Sequence, residues 1–272
     1  SISSITEKTV RDTWTRHTTG GNIIVSVSSS IGSDRIGRLS RKSFGPAKSG
    51  GREYYTTDIE TVRSQIAAKS RNIYLIPADY DQATIICGTP APDVKYGGNY
   101  AIDVMNYILG GGSFGSRLMT DIREKRGLAY SVFSYVAARY GAGFFLCFAQ
   151  TRNEEAANVL SLMKTNISRM YNEPVPGDEL AWAKSAITNS YVFNFSSVAR
   201  ILSMYFTMDY YGLDKDYYSK YTSRIEAVTS KEIIDESRKL FSEGLVTVVV
   251  GKRGIENGLS KYGNVVIIEE KP

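Results

Sequence analysis

Histidine is almost absent from this sequence of 272 residues, and its scarcity limits the catalytic chemistry that the chain can carry. The one histidine is His17. Zinc sites without thiolates, and serine or cysteine hydrolases, usually need at least one placed imidazole. The chain alone therefore cannot hold a two-histidine metal site. We interpret His17, near the end of a predicted helix, as a helix-end residue rather than a ligand.

Cysteine, long apolar runs and blocks of like charge are also scarce. Cys87 and Cys147 each lie in an apolar run, where a thiol behaves as a small hydrophobe, so no disulfide framework or thiolate metal site is indicated. No run approaches the roughly 18 apolar residues of a membrane span, and the net charge of +5 is spread along the chain. We expect no membrane span and no nucleic-acid partner. The compartment stays open between cytoplasm and periplasm.

What the sequence does contain is typical of a globular protein. The composition is 42% hydrophobic and 22% charged with 7 Pro, which excludes wholesale disorder. Two segments, residues 5–27 and 228–250, resemble each other at a constant offset (229 − 6 = 223). Each predicts a capped helix, a glycine stop and a strand, the first strand covering residues 21–27. The capping-box pairs are Ser4 with Glu7 and Thr229 with Glu232.

A domain organisation follows if this similarity reflects a duplication; the alternative is that helix, glycine and strand form a common unit and the match is chance. On the duplication hypothesis, residues 1–45 are the tail of a first domain, 46–70 are a linker rich in glycine and polar residues, and 71–272 form a complete second domain. Strand pairs mixed with helices that do not alternate with them predict an α+β fold, with an antiparallel-rich sheet and helices on one face. The predicted strands include 72–76, 83–87, 130–138 and 143–150, and the predicted helices include 100–109, 116–125, 154–171 and 178–195.

The most unusual local sequence runs from Leu109 to Tyr130. Gly110, Gly111 and Gly112 separate two predicted helices and allow a sharp reversal with close backbone approach, so we interpret them as a hinge loop. A phosphate-binding loop is disfavoured, because the glycines follow a helix and lack the Gly-Lys-Ser/Thr ending of that motif.

The second of these helices carries two candidate donors to its end. Arg117 with Asp121, and Asp121 with Lys125, have the spacing of surface ion pairs. Arg123 lies in the last turn, before a glycine stop, and Tyr130 opens the next strand. A guanidinium and a phenol can both donate to a carbonyl oxygen or a developing oxyanion. The alternative is a solvated helix-end cation and an ordinary strand aromatic.

The motif from Gly110 to Leu118, followed by Arg123 to Tyr130, closely resembles the signature of the pitrilysin/insulinase family of zinc metallopeptidases. The resemblance is to the short-subunit branch related to mitochondrial processing peptidase. It extends over about residues 71–252, with supporting stretches at 176–184 and 225–229, and more loosely over the first 45. It implies a duplicated metallopeptidase-family domain whose first copy is truncated here.

The resemblance implies a clam shell of homologous α+β domains enclosing a chamber for unfolded peptides. The family holds zinc with an H-x-x-E-H motif, which this sequence lacks, so the resemblance implies zinc in an upstream domain or a partner subunit and an inactive chain by itself. Arg123 and Tyr130 fall on the family's pair that contacts substrate near the scissile bond and helps to stabilise the tetrahedral intermediate. Met119 replaces a usual aromatic, and with Phe114 it is assigned to the chamber wall.

The partners implied by the resemblance are a peptide substrate and a homologous zinc-bearing subunit or a second copy of this chain. An alternative function is a non-catalytic scaffold, similar to the core subunits of respiratory complexes. That alternative does not require the pair of Arg123 and Tyr130.

Overall fold

The computed structural model describes residues 2–45, 47, 49–51 and 58–269. The helices are α1 (Glu7–His17), α2 (Ser33–Phe44), α3 (Ile59–Lys69), α4 (Asn99–Asn106), α5 (Ala156–Asn172), α6 (Gly177–Tyr191), α7 (Val198–Tyr211), α8 (Tyr221–Ala227), α9 (Ser230–Leu240) and α10 (Glu256–Leu259). The strands are β1 (Asn72–Pro77), β2 (Gln82–Ala91), β3 (Ala129–Ala137), β4 (Gly143–Arg152), β5 (Val246–Gly251) and β6 (Asn264–Ile267). Two further segments, Tyr107–Gly111 and Met119–Glu124, wind as π-helix. In the part of the chain described, no helix is long and apolar enough to cross a membrane.

The chain divides into two compact units. The first contains Ser1–Tyr55 with Val192–Tyr218, and the second contains Thr56–Tyr191 with Ser219–Pro272. Helix α3 belongs to the second unit, although the sequence interpretation placed its residues in a linker. The division into a truncated first domain and a complete second domain stays a prediction.

The second unit is built on one six-stranded sheet, in the order β3-β4-β2-β5-β1-β6. Strand β1 runs parallel to β5 and β6, and the other three pairings are antiparallel. Alternate residues of β2, including Ala83, Ile85 and Cys87, are buried, whereas Ile86 between them is exposed. This period of two is what a sheet covered by helices on one face produces. The predicted α+β class is confirmed.

Helices α4, α5 and α9 supply the layer that covers this sheet. The side chains of Ile102, Met105, Ile108 and Leu109 are buried, as the spacing of apolar residues predicts. Further fully buried residues from α5 and β4 join them in one continuous core: Val159, Leu160, Met163, Phe145 and Cys147. Leu109, the residue directly before the glycine segment, thus belongs to this core.

The helix of the repeat found in the sequence is present in both copies. Helices α1 and α9 begin and end 223 residues apart, and their N-cap residues share one backbone conformation, at φ −107° and ψ 159° for Thr6 and φ −107° and ψ 158° for Thr229. The predicted capping box forms at Thr229. The cap of α1 is Thr6 rather than Ser4, and it has no box because the third residue of α1 is Thr9 instead of glutamate.

The strand predicted at residues 21–27 is wrong. Gly21 lies in a 3-10 turn, and the following residues are extended without strand pairing. In the second copy, Gly244 is followed by β5, which pairs with β1 and β2. The first copy has no such neighbours among the described residues, and a strand needs them to satisfy its backbone hydrogen bonds.

The two copies also differ in burial. Val10 and Trp14 of α1 are 56% and 70% exposed, whereas the equivalent Ile233 and Ser237 of α9 are both 0% exposed. Helix α9 owes its burial to α4 and α5, which pack against it. Among the described residues, therefore, nothing covers the face of α1 that corresponds to the buried face of α9.

Candidate functional site

The glycine segment of the motif is shaped by close approach rather than by unusual backbone angles. A Cβ at Gly110 would lie 2.3 Å from the backbone nitrogen of Ser134 in β3, and one at Gly115 would lie 2.2 Å from Cζ2 of Trp182. Gly110, Gly111 and Gly112 all keep negative φ, and Ser113 alone turns left-handed, at φ 53°. The predicted close approach is observed, while the sharp reversal and the hinge role stay predictions.

The predicted second helix begins at Arg117 and then widens into π-helix. The amide of Lys125 donates to the carbonyl of Thr120 at 3.0 Å, five residues back. Leu118 and Ile122 are buried, and Met119 is half-buried. Gly127, at φ 61°, ends the helix as predicted. Turns of π-helix are rare and occur frequently at functional sites.

Arg117 does not form the surface pair predicted with Asp121. Its guanidinium is buried and makes a two-point ion pair with Glu179 of α6, through Nε to Oε1 at 2.8 Å and Nη2 to Oε2 at 2.6 Å. The other predicted pair is present, because Asp121 lies 3.7 Å from Lys125, and it also lies 3.6 Å from Arg126. Spacing within one helix could not reveal a partner 62 residues away.

Tyr130 is directed outward by a bulge in β3. Ala129 pairs with Thr151 and Ser131 pairs with Gln150, so Tyr130 is the extra residue between them. Its side chain is 80% exposed. Bulges commonly turn a side chain at the edge of a sheet, and β3 is an edge strand.

Arg123 is held between two aromatic rings. Its guanidinium carbon lies 5.1 Å from the ring centre of Phe114 and 5.3 Å from that of Tyr130. Its Nη1 also donates weakly to the sulfur of Met119, at 3.8 Å. The structure thus brings all four predicted side chains together, and stacking on aromatic faces stabilises a guanidinium.

The donors of Arg123 remain available to a ligand. Of the residues that the structure describes, none forms an ion pair with Arg123, whereas both neighbouring cations face Asp121. A guanidinium carries five N–H donors, and the phenol of Tyr130 adds another. The site can therefore donate hydrogen bonds to an oxygen that gains negative charge.

Zinc does not fit the residues that the structure describes. Within the described ranges, no three His, Cys, Asp or Glu side chains lie together in a way that could hold a metal ion. His17 is the last residue of α1.

Comparison with protein-family models shows which family the chain belongs to. A family model described as the peptidase M16 inactive domain matches residues 4–187. The chain belongs to this family. The expected resemblance to the pitrilysin group of zinc peptidases is thereby confirmed.

Curated relatives of this M16 inactive domain are longer proteins. The chain is 26% identical over 257 residues to an uncharacterized zinc protease of Rickettsia felis, covering 92% of this chain and 58% of that protein. It is 22% identical over 253 residues to the uncharacterized zinc protease YmxG of Bacillus subtilis, covering 93% and 59%. The chain thus spans little more than half the length of either relative.

Solved structures share the fold. A peptidase M16 inactive domain from Pseudomonas fluorescens matches with a TM-score of 0.81 at 22% identity, over 93% of this chain and 58% of that one. A chain in Complex III2 from Candida albicans matches with a TM-score of 0.73 at 11% identity, over 96% and 62%. At these identities the likeness establishes the fold alone.

Four features of the candidate site were missed by sequence reasoning. The bulge at Tyr130 and the ion pair of Arg117 with Glu179 carry no local signal. Trp182 lies in a stretch, residues 176–184, that resembles the family, and this stretch could have suggested a contact with the glycine motif. Phe114 was assigned to a chamber wall, but its stacking on Arg123 was not foreseen.

Proposed function

We propose that this chain supplies the substrate-binding, transition-state-stabilising wall of a clam-shell zinc metallopeptidase that acts on unfolded peptides. Arg123 and Tyr130 are the catalytic residues of this wall, and Phe114 and Met119 line the peptide chamber. The observation that carries the proposal is the stacked arrangement of Arg123 between the rings of Phe114 and Tyr130, with its donors free of any carboxylate among the described residues.

The chemical reason for this assignment is the charge that develops during peptide hydrolysis. The carbonyl oxygen of the scissile bond becomes an oxyanion in the tetrahedral intermediate. Hydrogen-bond donors that are fixed before that charge appears stabilise the transition state more than the ground state. The guanidinium of Arg123, which lies over two rings, and the outward-facing phenol of Tyr130 are the donors that this chain offers to such an oxyanion.

Zinc belongs, on this proposal, to another part of the assembly. A zinc-bearing domain in the same gene product, or a homologous partner subunit, supplies the metal, and the present chain faces it across the chamber. A second copy of the chain is the partner if the longer gene product carries the metal motif. The chain by itself is then expected to be inactive.

The domain organisation is part of the same proposal. Residues 1–45 are the tail of a first family domain, and helix α1 occupies there the place that α9 occupies in the second. The matching boundaries, caps and ion pairs of the two helices support this, as does the uncovered face of α1.

The test is cleavage of a quenched, unstructured peptide by the full-length gene product, alone and with its homologous zinc-bearing subunit. Tyr130→Phe removes one donor and keeps the ring, so we expect kcat to fall by about 100-fold. Tyr135→Phe is the matched control, because it makes the same change at another exposed tyrosine of β3. It should leave kcat unchanged.

Two results would contradict the proposal. Equal activity of the wild type and Tyr130→Phe would remove the phenol from the transition state. No cleavage in any combination of folded proteins would favour the alternative, a non-catalytic scaffold, for which the fold shared with a chain of Complex III2 is the supporting observation.

A further inference from the structure

The turn that carries Phe114 is clamped between a strand and a helix. On one side, Gly110 lies against the backbone of β3. On the other side, a Cβ at Gly112 or Gly115 would come within 2.8 Å or 2.2 Å of the indole of Trp182 in α6. Trp182 is itself packed against Tyr107, with the ring centres 5.2 Å apart. The indole therefore packs against the turn both before and after Phe114 in the sequence.

A buried ion pair ties the next turn to the same helix. The side chains of Arg117 and Glu179 are 7% and 22% exposed, and they make two parallel hydrogen bonds. Glu179 lies in the first turn of α6. Arg117 opens the helical segment whose π-helical turns carry Arg123. Two-point pairs between guanidinium and carboxylate fix direction as well as distance.

Arg123 has little else to hold it in place. Its partners are the rings of Phe114 and Tyr130 and the sulfur of Met119. Phe114 is exposed, so packing does not fix its ring. The positions of both side chains must come from the backbone beneath them, which α6 supports.

We propose that Arg117 and Glu179 are positioning residues for the Arg123 site. Their ion pair, together with Trp182, fixes the backbone of residues 112–117 so that Arg123 is stacked between Phe114 and Tyr130 before any peptide binds. This inference rests on the proposed function for its consequence in catalysis. Its structural content, however, can be measured in the isolated chain.

The first test follows the side-chain resonances of Arg123 by NMR. Two flanking rings shift the Hδ and Hε resonances of Arg123 away from those of a free arginine, and Phe114→Leu defines the change when one ring is lost. Glu179→Gln keeps the shape of the side chain and removes its charge. We expect it to move the Arg123 resonances in the same direction as Phe114→Leu.

The matched control is Glu173→Gln, which breaks the surface pair with Arg169 (2.9 Å) by the same chemical change. It should leave the Arg123 resonances in place. If Glu179→Gln does not fold, Arg117→Lys keeps the charge but loses the two-point geometry, and it should give the same shift. Folded Glu179→Gln or Arg117→Lys with unchanged Arg123 resonances would overturn the inference.

The second test is peptide cleavage by the full-length assembly. Loss of positioning weakens an interaction made mainly in the transition state, so Glu179→Gln should lower kcat about 10-fold with little change in KM. A rise in KM with constant kcat would overturn the inference. Absence of cleavage in the wild type, with the expected NMR response, would refute the proposed function and leave the positioning role supported.

Discussion

Shortening two equivalent side chains of the repeated helices should have different effects on the free energy of unfolding. Ile233 of α9 is fully buried, and its equivalent Val10 of α1 is 56% exposed. Ile233→Ala removes three buried carbon atoms, worth about 0.8 kcal/mol each, and leaves a cavity that adds to the loss. We expect the free energy of unfolding of the second unit to fall by about 3 to 4 kcal/mol.

Val10→Ala should change the free energy of unfolding by less than about 0.5 kcal/mol. The side chain of Val10 is largely exposed in this chain, so shortening it removes little buried surface. The assay is urea denaturation followed by the fluorescence of Trp182, in a background carrying Trp14→Phe, so that the signal reports on the second unit. Far-UV circular dichroism would follow α1 alongside it.

The comparison fails if Ile233→Ala loses less than about 1 kcal/mol, or if Val10→Ala loses as much as Ile233→Ala. Repeating Val10→Ala in the full-length gene product then tests the domain proposal. If a family domain covers α1 there, the loss should rise to about 1 kcal/mol or more, since the same carbon atoms are then buried. A loss still below 0.5 kcal/mol would mean that nothing covers this face.

Gly115→Ala should lower the stability by about 1 to 3 kcal/mol, because its Cβ would overlap the indole of Trp182, and an unchanged urea midpoint would show that the turn yields. Burial raises the pKa of Asp103 from 3.8 to about 6, although the phenol of Tyr221 donates to its carboxylate at 3.1 Å. The folded protein therefore binds a proton at the Asp103 carboxylate more tightly than the unfolded chain does. The stabilisation that this proton gives is greatest at low pH and is lost as the pH rises towards 6. The unfolding free energy of the wild type minus that of Asp103→Asn should fall between about pH 4 and 6 and stay level above, and a flat difference would contradict this.

Much of the second unit could be predicted from the sequence, because its signals are local. Ile102, Met105, Ile108 and Leu109 have the spacing of one buried helix face, and all four are buried. The spacing of Thr229 and Glu232 predicts the start of α9, and the two residues form the predicted capping box. Apolar spacing and caps act within a few residues, so a single sequence contains them.

The failures have a common physical cause, which is that tertiary partners decide between locally equal choices. Residues 21–27 have the composition of a strand but no strand neighbour among the described residues. Arg117 has a carboxylate at the right helical spacing in Asp121, yet it pairs with Glu179 of another helix. The bulge at Tyr130 depends on register with β4, which no local pattern records.

The composition of the site itself limits what it can do alone. Arg123 offers donors only, and among the described residues the phenol of Tyr130 makes no hydrogen bond to a carboxylate or an imidazole. Donors lower the energy of an oxyanion once it forms, but they neither supply the nucleophile nor activate it. This surface therefore offers hydrogen-bond donors to a developing negative charge. It consists of Arg123 and Tyr130, with the ion pair of Arg117 and Glu179 behind them. On the proposed function, the group that generates this charge approaches from another surface, which is why the cleavage experiments use the complete assembly.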